Sequence, residues 1–162
     1  MFKRLNFLSY FFIVGLMFFT WQFLLAETTQ LKNFEELMEN LNRGETVRVV
    51  AHYGKCKLIS DNEVQAVSPN AIGGMEIQVY EYFAQRSIGN SKAFVVFSHS
   101  SLINYQGFLY NYVKFKVFDD NSVTITAQYA TPDDFEIEME EKFFSKINDG
   151  TNEGAVYFYR LN

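Results

Sequence analysis

The chain has 162 residues, a formal net charge of -5 and an aromatic share of 18%. Capture of a phosphate backbone relies on clustered Lys and Arg, so an acidic balance of this kind excludes nucleic acid as a partner class. The lone cysteine, Cys56, cannot form an internal disulfide, which leaves core packing to hold the fold; 18 Phe and 10 Tyr supply ring area for it.

The start is cationic, with Lys3 and Arg4, and runs into the largely apolar LNFLSYFFIVGLMFFTWQFLL before ending at Ala26. Positive charge followed by an apolar run and a small residue is the layout of an export signal. Residues 1–26 are therefore expected to be a signal peptide and residues 27–162 a single β-rich domain delivered to the periplasm or secreted. The run is also about as long as a membrane span. An uncleaved anchor is the alternative, and membrane contact is expected only through that segment. Loss of Lys3 and Arg4 with the leader makes the remainder more acidic still.

After the leader, LKNFEELMENLNRG predicts one short helix. Asn33 is placed to cap, Glu36 stands three residues on as its capping-box partner, Phe34, Leu37, Met38 and Leu41 share a face, and Gly44 stops the turn. From there the period becomes extended. ETVRVVAHY predicts a first strand, and SPN and GG mark turns in the stretch that follows. MEIQVYEYF predicts a second strand with Met75, Ile77 and Val79 inward. The nearly uncharged KAFVVFSHSSLI predicts a central strand.

Alternation is clearer in the C-terminal half. Leu109, Val113, Phe115 and Val117 oppose Tyr110, Tyr112, Lys114 and Lys116, and after the turn at residues 119–122 Val123, Ile125, Ala127 and Tyr129 oppose Thr124, Thr126 and Gln128. In DFEIEMEEKFFSKI, Phe135, Ile137, Met139 and Phe143 are expected inward and Glu136, Glu138, Glu140 and Lys142 outward, with a helix over EMEEKFF as the alternative. Asn148-Asp149-Gly150 is a turn signal before the final strand, GAVYFYRL. Strands joined by short turns usually pair with their neighbours. The expected fold is mainly β, a short N-terminal helix followed by an antiparallel meander that closes or curls strongly into a barrel-like sheet.

Few residues offer chemistry. Cys56, between Lys55 and Lys57, together with His52 and His99 are the candidates for a Cys-His nucleophile or a metal site, if distant segments meet; a buried, inert thiol is the plainer reading. Glu136, Glu138, Glu140 and Glu141 read as a solvated row, since a row along one strand does not make a cleft. No phosphate loop, dinucleotide fingerprint or GxSxG is present, and no cofactor or metal is implied. Tyr105, Tyr110, Tyr112, Tyr129, Tyr157 and Tyr159 combine ring area with a hydroxyl, the chemistry of a ligand or partner surface.

KNFEELMENLNRGETVRVVAHYGKCKL resembles the opening of the VirK family of exported bacterial proteins, and GFLYNYVKFKVF through NEGAVYFY resembles its closing strands. The markers are the Leu and Gly of the helix exit, the Cys56 motif and the Asn148-Asp149-Gly150 turn. None is a catalytic signature. The resemblance implies export and a virulence or host association without a mechanism. The expected function is a small binding or interaction domain, monomeric, for an unknown small molecule or protein; the alternatives are a Cys/His-dependent or metal-assisted hydrolase and a secreted effector or envelope factor acting through a protein partner.

Overall fold

The computed structural model describes residues 28–60 and 63–161, so the expected signal peptide lies outside the described residues. Strand β1 (Thr29–Leu31) leads into helix α1 (Phe34–Asn42). Asn33 is extended, and its Oδ1 accepts a hydrogen bond from the Glu36 amide at 2.8 Å, while the Glu36 carboxylate accepts from the Lys32 amide at 2.7 Å. This reciprocal cap satisfies two orphan donors, and a cap of this type is worth about 1 kcal/mol. Phe34, Leu37, Met38 and Leu41 are all buried. Gly44, at φ +73, ends the helix in the left-handed region that glycine enters without a Cβ penalty.

Beyond α1 come β2 (Val47–His52), a 3-10 turn (Tyr53–Lys55), β3 (Lys57–Ser60), β4 (Glu63–Val64) and β5 (Ile72–Glu76). Next are β6 (Glu81–Phe83), β7 (Phe94–Asn104), β8 (Phe108–Phe118), β9 (Ser122–Ala130), β10 (Ile137–Lys146) and β11 (Val156–Arg160). They form two antiparallel sheets. The small one runs β1-β11-β2-β5 and the large one β4-β3-β10-β9-β8-β7-β6.

The mainly β content, the short helix and the antiparallel pairing are as expected, but the barrel is not. Both sheets are open, with edge strands that do not pair with each other. The chain changes sheet four times, at β2–β3, β4–β5, β5–β6 and β10–β11, and the last two corners break the expected meander. MEIQVYEYF is not one strand: it ends in the small sheet as β5 and resumes in the large sheet as β6, with Ile77 buried between them and Val79 turned out at 76% exposure. Likewise β10 and β11 are not a hairpin, since β10 pairs with β9 and β3 while β11 pairs with β2 and β1. Two dry faces made by the same chain cover each other, so neither sheet needs to close upon itself.

The β10–β11 corner is built by the predicted turn. Asn148 is buried, its side-chain amide donates to the Gly154 carbonyl at 2.7 Å, and its Oδ1 accepts from the Gly150 amide at 2.9 Å. Asp149 accepts from the Thr151 and Asn152 amides, both at 2.8 Å, and these bonds hold its carboxyl below the usual range.

Phe97 and Phe115 stack on the large sheet with centroids 5.3 Å apart, and Phe158 of β11 meets Phe97 edge-on at 6.3 Å across the gap between sheets. The helix plugs one end of the sandwich: the Phe34 amide donates to Asn121 Oδ1 in the β8–β9 turn at 2.7 Å, and the Tyr80 hydroxyl donates to the Leu41 carbonyl at 3.1 Å. Among the described residues the buried hydrophobic cluster runs from Leu31 to Phe158. No helix among the described residues is long and apolar enough to cross a membrane.

Candidate functional site: a trough between the sheets

The inner face of the large sheet can be followed row by row from its strand register. Phe97, Phe115, Ile125, Phe143 and Leu58 form one cross-strand row, all buried. One step outward the row is His99, Val113, Ala127 and Glu141, and the next is Ser101, Asn111, Tyr129 and Met139. Dry core thus gives way to mixed polarity within two residues along each strand.

These outer rows have no full roof, because the strands of the small sheet are shorter. The result is a trough of about 690 Å3, floored by the large sheet and edged by β5 and by Tyr53, Pro69 and Ala71. That size is within the usual range of small-ligand sites. Tyr53 packs on Phe143 with centroids 4.8 Å apart. Burial raises its phenol, with the neighbouring Cys56 a second cause. A Cβ on Gly73 would lie 2.8 Å from the Tyr53 ring, so glycine there lets the ring lie against β5. The Ser68 hydroxyl donates to the Cys56 carbonyl at 2.6 Å and ties the rim to the 3-10 turn.

The sequence candidates are dispersed. Cys56 is in the core, its thiol donates to the His52 carbonyl at 3.5 Å, and burial pushes its pKa up against the lowering effect of the Ser145 hydroxyl. His52 instead presents its ring to Tyr157 at 5.2 Å, on the outer face of the small sheet. His99 lines the trough. Among the described residues no group of three or more His, Cys, Asp or Glu is placed to hold a metal ion.

The six tyrosines divide among three places. Tyr129 lies in the trough with Tyr105 6.3 Å away, Tyr157 and Tyr159 stack on the small sheet's outer face, and Tyr110 stacks on Phe135 on the outer face of the large sheet. Tyr112 stands on that same outer face, one row nearer the core than Tyr110.

Glu141 is the site residue that the solvated-row expectation passes over. A bulge between Ile137 and Met139 resets the phase of β10, leaving Ile137 53% and Phe135 66% exposed while Met139, Glu141 and Phe143 turn inward. Parity counted back from Phe143 is the signal that finds it. Glu141 and His99 end the same row three strand spacings apart, about 14 Å, so they flank the trough and do not form a contacting acid-base pair.

Residues 30–135 match the family profile described as VirK protein. The chain belongs to the VirK family. The match stops short of β10 and β11, so Glu141 and the Asn148 corner lie beyond it. The crystal structure of a VirK family protein from Legionella pneumophila is similar, with a TM-score of 0.58 and 14% identity over 80% of this chain and 97% of that one. At that identity the likeness is one of fold. No match was found among curated protein sequences.

Proposed function

We propose that this VirK-family chain is an exported binding domain, acting as a monomer without catalysis and taking its ligand into the trough between the sheets. The trough itself carries the proposal: a concave surface with an apolar floor and a few polar groups, His99, Asn111, Tyr129 and Glu141, is how ligand sites are built. The leader supports export. A buried thiol with a raised pKa is poorly suited to nucleophilic work, which argues against the hydrolase alternative at Cys56.

Amide shift mapping by NMR against a panel of blocked dipeptides, monosaccharides and aromatic acids tests it. Ligands are expected to move the signals of His99, Asn111, Ala127 and Glu141, and Ala127→Met, which fills the floor, is expected to weaken them about tenfold with the unfolding midpoint retained. Ligands that map to the outer sheet faces, or that bind the Ala127→Met chain equally well, would contradict the proposal.

A further inference from the structure

Resting on that assignment of the trough, we propose that its occupant is an extended peptide segment of another protein, added as a strand to the free edge of β5 with a basic side chain turned toward Glu141. Among the described residues β5 pairs with β2 alone. The Ile77 amide donates to the Val47 carbonyl and the Tyr53 amide to the Ala71 carbonyl, each at 2.9 Å. Bonded pairs alternate along an antiparallel ladder, so residues 71, 73, 75 and 77 direct their backbone groups to β2. Ile72, Gly74 and Glu76 therefore present theirs at the open edge, where an incoming strand would find three donors and three acceptors in register.

Natural edges are usually blunted by Lys, Pro or a bulge. β5 reads IGGME and pairs with β2 without a register shift. Its edge adjoins the uncovered rows of the large sheet, and residues 72–75 line the trough. A strand added in the plane of the small sheet would continue the roof at the spacing of about 10 Å that packed sheets adopt.

The register also states which side chains of the guest enter. Those opposite Gly73 and Met75 point toward the large sheet, as Met75 itself does, and Gly73 brings no side chain to compete. Their floor is Val113 and Ala127, and among the described residues the lining holds one carboxylate, Glu141, with no Lys or Arg. A cationic side chain on the guest complements that charge. A second copy of this chain fits less well, since its own β5 brings Glu76 against an acidic surface.

The test uses the full chain and, beside it, the chain from Glu27, the form expected after removal of the leader. The probe is acetyl-Thr-Val-Thr-Lys-Thr-Val-Thr-amide, with a Glu-for-Lys analogue and two analogues N-methylated on alternate residues. The probe is expected to slow exchange of the Ile72, Gly74 and Glu76 amides about tenfold or more, and one N-methyl set, not both, is expected to abolish binding. The Glu analogue is expected to bind about tenfold more weakly, and Glu141→Gln to erase that preference. A probe that moves trough signals without slowing those three amides would overturn strand addition while leaving the trough as a site. No response at the trough, loss of binding with both N-methyl sets, or a Lys preference unaltered by Glu141→Gln would overturn the proposal. So would amides already slow in the full chain without probe, because the chain's own leader would then hold the edge.

Discussion

Cys56 and Tyr53 illustrate how a single side chain reads out its surroundings. Both have pKa values raised, chiefly by burial, from ordinary values of 9.0 and 10.0. For an acid that is neutral when protonated, a raised folded pKa means that the unfolded chain loses its proton first. Their contribution to stability is therefore complete below about pH 9 and declines as pH rises above it. Thermal melts from pH 7 to 11 are expected to show a falling midpoint above pH 9, and iodoacetamide at pH 7 to label Cys56 only on unfolding. Rapid labelling of the native chain would contradict the buried placement. At the acid end Asp120 runs the other way: hydrogen bonds from Lys92 and Ser122 lower its carboxyl to about 2. Its contribution is present above the ordinary 3.8 and is lost as pH falls through 2, small because the pair is exposed.

Among the elements, those governed by local chemistry were legible in the sequence. The Asn33–Glu36 cap and the buried stripe of α1 follow from neighbours within a few residues, and the alternation of Val113, Phe115, Val117, Val123 and Ile125 follows from the pleat. The corners were not legible. No Gly or Pro interrupts MEIQVYEYF, and what ends β5 is the choice of a different sheet, a non-local event. The β10–β11 corner depends equally on close backbone approach: a Cβ on Gly154 would sit 2.6 Å from the Ile147 carbonyl oxygen and 2.7 Å from that of Lys146. Backbone atoms cannot swing aside as a side chain can. Gly154→Ala is expected to cost about 1–3 kcal/mol in urea unfolding; a change within a few tenths would contradict the tight corner. For the candidate site, His99 and Tyr129 were visible as residue types. Glu141 was passed over because it was grouped with its outward-facing acidic neighbours although it shares the parity of Met139 and Phe143, and the bulge hid only the outward turn of Phe135 and Ile137.

At the scale of the molecule, stability and function meet at the boundary between the dry row and the trough. Phe158 reaches from the small sheet to Phe97 on the large one and is fully buried, so Phe158→Ala is expected to cost about 3–5 kcal/mol, measured as a lowered urea midpoint. A cost below about 1 kcal/mol would show that the sheets are not held together there. Packing is spent on that half of the large sheet, and the other half is left open with its polar rows accessible. The small sheet stops one strand early, and both the site and its proposed guest follow from that.

Two open sheets, in place of one closed one, are the claim on which the rest stands, and native-state amide exchange in the free chain from Glu27 tests it most directly. The bonded pairing of Asp119 with Ala93 fixes the parity along β7, and β6 covers only residues 94–96, so Ser98, Ser100 and Leu102 face a free edge as Ile72, Gly74 and Glu76 do on β5. Those six amides are expected to exchange roughly a hundredfold faster than Met75, Ile77, His99 and Ser101. Uniform protection along β5 and β7, the mark of strands paired on both sides, would contradict the account.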